Sequence, residues 1–211
     1  MLDFILFLML MMLVLLVFIL ISFGNIRGKL KQDSDFAGGR GTPTRPYLIK
    51  DVGQLDRVRD HLESHFRLIS SIDLKRYCRL REFSGGWQPL GSEEEKFAGT
   101  LDGQNYTIKN IYIERPEGRL LGLFGCTDES ALIKDLNLEG CRVEGSSQVG
   151  GLAGKNCGII TGCCCQGDVL AEEESGGLVG LNSGKITDCE FLPVSSNESV
   201  QEMIGLEIEN C

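Results

Sequence analysis

The sequence predicts a mainly β protein: a short right-handed parallel β-solenoid of about four to six rungs, with an N-terminal capping helix and a separate N-terminal transmembrane helix. The first observation behind this is a repeat. Residues 149–163 and 175–189 share one pattern, in which Asn156 and Asn182, Ile160 and Ile186, and Cys163 and Cys189 each lie 26 residues apart. So constant a period marks a repeating structural unit. The second is the grammar inside each copy: a Gly-Leu-aliphatic-Gly piece, an Asn-x-Gly turn signal, then an alternating Ile-Thr-x-Cys. That reads as two short strands joined by a turn and contains no helical stripe. One such unit has a single apolar face and too little area to bury it alone, so copies must stack at about 4.8 Å per rung. The third is residues 4–23, which carry no charge and only Ser22 as a polar side chain.

Taken in order, the chain divides into residues 1–24, a transmembrane anchor or uncleaved signal; 25–45, a juxtamembrane linker; 46–96, a cap region of strand, helix, strand and loop; and 97–211, the repeats. A helix over residues 4–23, at about 1.5 Å per residue, crosses a hydrocarbon core of about 30 Å. A cleaved signal peptide is the rival, but it wants a shorter apolar run behind a basic start, and here Asp3 is the only early charge. The membrane is therefore an expected partner, through residues 4–23. The linker is polar and rich in glycine (Gly38, Gly39, Gly41). Residues 46–49 form a first strand. Asp51 then N-caps a helix over residues 51–66, where Leu55, Val58, Leu62 and Phe66 fall on one face and cover the raw apolar end of the solenoid. His61 and His65 would stand one turn apart on that helix, a zinc-like spacing, but no third ligand completes a motif and solvated histidines are the plainer reading. Residues 68–74 read as a strand, Lys75, Arg76, Arg79 and Arg81 as a solvated loop, and Trp87 as a packing anchor.

In the repeats, Ile108, Ile133, Ile160 and Ile186 align at steps of 25, 27 and 26, which predicts four registered rungs. Gly122-Leu123-Phe124-Gly125 is an earlier copy of the Gly-Leu piece. The repeat-defining residues are Gly151, Leu152, Gly154, Asn156, Gly158, Ile160 and Cys163, with their mates Gly177, Leu178, Gly180, Asn182, Gly184, Ile186 and Cys189. The six glycines are expected at corners, where positive φ or close approach between rungs excludes a side chain. Asn156 and Asn182 are expected to stack as an amide ladder. A phosphate-binding loop would need a Gly-Lys-Ser/Thr ending before a helix, and the sequence has none.

At the Gly-Leu-aliphatic-Gly core the sequence resembles the GLUG-motif repeat of exported bacterial proteins, among them surface adhesins and immunoglobulin A-specific peptidases. Upstream, residues 41–74, Trp87-Gln88-Pro89-Leu90-Gly91 and Phe97-Ala98-Gly99-Thr100-Leu101-Asp102-Gly103 look like the segment that precedes such repeats, so the likeness covers about residues 41–192. The resemblance implies a β-solenoid and says little of activity, because in peptidases that carry such repeats catalysis lies in a separate zinc domain. It also implies export, whereas Arg27, Lys29 and Lys31 just after the span favour a cytoplasmic domain by the positive-inside rule. The expectation carried forward is a single-pass membrane protein with its solenoid on the extracellular or exoplasmic side.

The nine cysteines cannot all pair within one chain. Cys163 and Cys189 take the positions that Ile111 and Leu136 would hold in earlier rungs, so they read as small buried hydrophobes. Their spacing of about 4.8 Å exceeds the roughly 3.8 Å between Cβ atoms that a disulfide prefers, and they are expected to stay reduced. Alternation turns Cys165 inward and Cys164 outward. Contiguous cysteines on a strand cannot converge on one ion, and no histidine lies near to activate a thiol. Asp135 and Asp188 share a rung position with Asn110 and Gly162, and stand about 10 Å apart, long for a retaining glycosidase pair and near the upper limit for an inverting one; Asp168 and residues 172–174 are expected in the intervening loop. A net charge of −9 argues against nucleic acid as a partner. No catalytic, cofactor-binding or metal-binding residue is assigned. The reading is a non-enzymatic, membrane-anchored surface or adhesion-type module with an unidentified protein or glycan partner. The alternatives are a carbohydrate-active β-helix enzyme, either a polysaccharide lyase or a hydrolase, which would gather Asp135, Asp188 and Lys185 around one groove, or an intracellular β-solenoid scaffold.

Overall fold

The computed structural model describes residues 11–12, 35–194 and, as backbone, 204–207. The expected membrane span, residues 4–23, lies outside these but for Met11 and Met12; among the described residues no helix is long and apolar enough to cross a membrane. The strands are β1 (Tyr47–Ile49), β2 (His65–Leu68), β3 (Ile72–Asp73), β4 (Thr100–Asp102), β5 (Thr107–Lys109), β6 (Tyr112–Glu114), β7 (Arg119–Leu121), β8 (Phe124–Cys126), β9 (Leu132–Lys134), β10 (Asn137–Gly150), β11 (Ala153–Asn156), β12 (Ile159–Thr161), β13 (Cys164–Gly176), β14 (Val179–Asn182), β15 (Lys185–Thr187), β16 (Glu190–Pro193) and β17 (Ile204–Glu207). Two short helices, α1 (Val52–Asp56) and α2 (Lys75–Leu80), precede the repeats.

Every pairing among these strands is parallel. They form three sheets: β1-β2-β4-β9-β12-β15; β16-β13-β10-β5-β3 with β6 and β7 also on β10; and β17-β14-β11-β8. One strand from each sheet makes a turn, so β8-β9-β10, β11-β12-β13 and β14-β15-β16 are three complete turns of a β-solenoid. The core is built of columns. In the first sheet Tyr47, Phe66, Leu101, Ile133, Ile160 and Ile186 lie in register, and all but Ile186 are buried. In the second, Ile72, Ile108, Leu138, Cys165 and Phe191 do the same. Each fully buried aliphatic or aromatic side chain in such a column contributes about 1.5–3 kcal/mol.

The structure corrects several expectations. Asp51 does cap α1, accepting the Gln54 N–H at 3.0 Å, but the helix ends at Asp56, tightens into a 3₁₀ turn over Arg57–Asp60, and residue 66 belongs to a strand. A helix over residues 51–66 would have withdrawn β2 from between β1 and β4, leaving β1 unpaired and β4 paired with β9 alone; the ladder seats Phe66 between Tyr47 and Leu101 instead. The two histidines therefore part: His61 packs against the rings of Phe36 and Tyr47, while His65 stands opposite Thr100. Of the strand expected over residues 68–74, only Leu68, the last residue of β2, and the two residues of β3 are in strands, and the basic loop at residues 75–81 is mostly α2. Trp87 is fully buried, with its Nε1 donating to the Leu123 carbonyl at 3.1 Å.

Register is corrected at one step. Ile160 and Ile186 follow Ile133 as expected, but the residue opposite Ile133 on its other side is Leu101, and Ile108 opposes Leu138 in the second sheet. Asp168 and residues 172–174, expected in a loop, lie in the thirteen-residue β13. None of the six repeat glycines has a left-handed backbone; left-handed residues in the repeats include Asp135, Gly162 and Asp188 after the first-sheet strands, Asn110 and Gly140 at another corner, and Leu120, Gln148 and Glu174 at a third. The repeat glycines are explained by close approach alone. A Cβ would lie 2.3 Å from Cys165 Sγ at Gly151, 2.4 Å from the Val149 nitrogen at Gly180, and 2.1 Å from the Gly158 oxygen at Gly184.

Candidate functional site

The repeat-defining side chains face inward and hold the solenoid together. Thr127 Oγ1 donates to Asn156 Oδ1 at 2.8 Å, and Asn156 Nδ2 donates to Asn182 Oδ1 at 2.8 Å. Each asparagine also closes its own turn, Asn156 with Gly158 and Asn182 with Gly184. The expected ladder is present, and Thr127 extends it by one rung. Among the cysteines, Cys163 and Cys165 are buried while Cys164 and Cys189 are half-buried, and Cys163, Cys164, Cys165 and Cys189 are free thiols; Cys157 is disulfide-bonded. The Cys163 N–H donates to Cys189 Sγ at 3.4 Å. Hydrogen bonding from Cys163 lowers the Cys189 thiol to about 7, and the same contact, with burial, raises Cys163. Burial raises Cys164.

This reverses the order of reactivity that outward alternation alone would give. The thiolate is the nucleophile, and a depressed pKa keeps it populated above about 7 and loses it as the pH falls through that value. With a maleimide at pH 7.5 (about one half-unit above that value), Cys189 is expected to label first and Cys164 slowly. Cys189→Ser should remove the fast phase, whereas Cys164→Ser should keep it; a fast phase that survives Cys189→Ser would refute the assignment.

The outward side chains of the first sheet form two rows. One is Arg67, Asp102, Lys134, Thr161 and Thr187; the other is His65, Thr100, Leu132, Ile159 and Lys185. In the first row a charge chain runs from Arg67 to Asp102 at 3.6 Å, from Lys134 to Asp102 at 3.2 Å, and from Lys134 to Asp135 at 3.6 Å. Thr187 Oγ1 then donates to Thr161 Oγ1 at 3.0 Å. Burial on its own would raise the Asp102 carboxyl, but hydrogen bonds from Gln104 and Lys134 outweigh it and hold the group below its ordinary range. The second row is more apolar, with Ile159, between Leu132 and Lys185, 44% exposed. The face thus offers fixed charges, hydroxyls and an apolar strip at rung spacing.

Asp135, Asp188 and Lys185 do not converge. Asp135 and Asp188 occupy the same corner with Gly162 between them, two rungs or about 10 Å apart, and Lys185 is in the other row. Asn110 is not their equivalent, since its corner faces Gly140. Among the described residues, carboxylates whose titration moves, Asp73, Glu94, Asp102 and Asp128, move down. A glycosidase general acid requires the opposite shift.

Arg67, Asp102 and Lys134 were not legible as a set. The signal was the polar residue following each inward member of the column, in Phe66-Arg67, Leu101-Asp102 and Ile133-Lys134, and it emerges only once Leu101 replaces Ile108 in the register.

No protein-family model matches the chain. Over 132 residues the chain is 42% identical to a "Putative Gly-rich membrane protein" of Evansella cellulosilytica, covering 60% of this chain and 15% of that protein. Over 164 residues it is 28% identical to the Halomucin of Haloquadratum walsbyi, covering 74% of this chain and 2% of that protein. The chain thus spans a small part of the length of these relatives. Among solved structures, a "putative immunoglobulin A1 protease" from Bacteroides ovatus superposes with a TM-score of 0.54 at 18% identity, over 83% of this chain and 66% of that one. At that identity the likeness is one of fold.

Proposed function

We propose that this chain is a non-enzymatic, membrane-anchored surface or adhesion-type binding module built on GLUG-type repeats, which presents the outward face of its first sheet to a protein or glycan partner. The observation that carries the reading is the continuous pair of rows from Arg67 to Thr187 and from His65 to Lys185. A sheet face with ladders of ion pairs, hydroxyls and exposed apolar side chains suits recognition of an extended partner, and among the described residues Asp135 and Asp188 do not pair as hydrolysis would require. The names of the two relatives, a membrane protein and a halomucin, support a membrane or surface location, with residues 4–23 as the proposed anchor and the solenoid outside.

The test is the full chain, purified in detergent, on arrays of glycans and surface proteins. Ile159→Ala with Thr161→Ala is expected to weaken capture at least tenfold, about 1.4 kcal/mol, with an unchanged melting temperature. Equal capture by this variant would remove the face from the proposal, and release of new sugar ends from any captured polysaccharide would overturn the non-enzymatic reading.

A further inference from the structure

We propose that the cleft between α2 and the second sheet binds a carboxylated sugar, held as one residue of an acidic polysaccharide. The inference rests on the binding-module reading and names a ligand class for a second place on the molecule. The cleft has a volume of about 350 Å³ and is lined by Lys75, Cys78, Arg79, Glu82, Asn110, Ile111, Tyr112, Gly140 and Arg142, within the size range of small-ligand sites.

Its walls come from two directions. Positions 75, 78, 79 and 82 are spaced as one helical face, so α2 and the turn after it turn Lys75 and Arg79 into the cleft above the buried Cys78. The opposite wall is β6 and β10, where Arg142 stands in register beside Tyr112. Three cations thus face one lining carboxylate, Glu82, in a chain of net charge −9. Two nearby acids have partners of their own, since Asp73 accepts from Asn110 Nδ2 and the Lys75 N–H, both at 2.8 Å, and Glu114 accepts from the Tyr112 hydroxyl; Asp168 stands in register beside Arg142 on the next rung and offsets part of its charge. A basic surface in general does not explain the cluster. The larger cavity, about 690 Å³ between residues 59–64 and 93–98, is lined by six carboxylates (Asp60, Glu63, Glu93, Glu94, Glu95, Asp128) against Arg59 and Lys96.

The lining selects the ligand. Ile111 and Cys78 are buried and Tyr112 is half-buried, so between the three cations the lining is apolar and partly aromatic. Inorganic phosphate would meet the cations and leave the apolar lining unused, and an acidic peptide side chain has no ring to lay on it. A pyranose has both a C–H face for the tyrosine ring and, when oxidised, a carboxylate for the guanidinium groups. Gly140 keeps the site open: its backbone is left-handed at φ 67°, and a Cβ there would lie 3.1 Å from Asn110 Oδ1.

The experiment is calorimetry on the full chain with galacturonate oligomers, neutral dextran oligomers, poly-glutamate and inorganic phosphate as separate probes. Galacturonate oligomers are expected to bind, to weaken as salt rises, and to lose at least tenfold in affinity in Arg79→Gln/Arg142→Gln, whose exposed side chains leave the melting temperature unchanged. The Ile159→Ala/Thr161→Ala variant should keep this binding. Affinity unchanged in the arginine variant, or matched by dextran, poly-glutamate or phosphate, overturns the proposal. Absence of galacturonate binding while the first-sheet face still captures its own partner defeats this inference alone, so the two readings fail separately.

Discussion

Gly180→Val is expected to lower the melting temperature of the full chain by about 10 °C, corresponding to a loss of about 3–5 kcal/mol. The argument is steric. Gly180 lies in β14, and a Cβ built on it would stand 2.4 Å from the Val149 nitrogen, 2.6 Å from the Gln148 carbonyl carbon and 2.9 Å from Gln148 Cα. All three are backbone atoms of β10, which is pinned on both sides by β13 and by β5, β6 and β7, so no side chain can swing away to make room. Gly162→Ala is the instructive contrast. Gly162 does have a left-handed backbone, at φ 62°, but the nearest atom to its Cβ is Asp135 Oδ1, the tip of a flexible carboxylate; its expected cost is about 1 kcal/mol of backbone strain. If Gly180→Val melts with the wild type while Gly162→Ala does not, close rung contact is not what those glycines serve.

That contrast bears on what could be read from the sequence. The 26-residue spacing was legible because Asn156 and Asn182 each close a turn and touch across the rung, so both the local and the long-range chemistry demand the same residue at the same place. Ile108 misled because alternation is common to all three sheets: an Ile-Lys-Asn-Ile string says that a strand is present and nothing about which wall of the solenoid it joins. Phe66 sits at helical spacing from Leu55, Val58 and Leu62, and only the ladder between Tyr47 and Leu101 distinguishes the two fates. The long strands β10 and β13 were illegible for a related reason. Gly145, Gly167 and Glu172 to Glu174 have poor strand propensity, and the pairing of each strand with its neighbour overrides it. The basic cleft was beyond reach altogether, since Arg142 joins Lys75 and Arg79 only through rung stacking.

Asn156→Leu is expected to destabilise the chain by about 3 kcal/mol, seen as a lower urea midpoint with an unchanged slope. Leucine has nearly the shape to fill the site, so the loss isolates hydrogen bonding from cavity formation. Asn156 is fully buried and its amide serves four partners: it accepts from Thr127 Oγ1 at 2.8 Å and from the Gly158 N–H at 3.2 Å, and donates to Asn182 Oδ1 at 2.8 Å and to the Gly158 carbonyl at 3.2 Å. Some of these survive the substitution, because Asn182 Oδ1 still accepts from Gly184 and the Gly158 carbonyl still accepts from the Lys185 N–H. The Thr127 hydroxyl proton and the Gly158 N–H lose the acceptor they share, at about 1–3 kcal/mol for each buried group left unpaired. Thr127 Oγ1 also accepts the Cys157 N–H at 3.1 Å, so adding Thr127→Val exchanges one unpaired donor for another, and the double variant should lose less than the sum of the two single losses. If Thr127→Val instead adds its own full cost on top of Asn156→Leu, the two side chains act independently and the ladder does not couple the rungs.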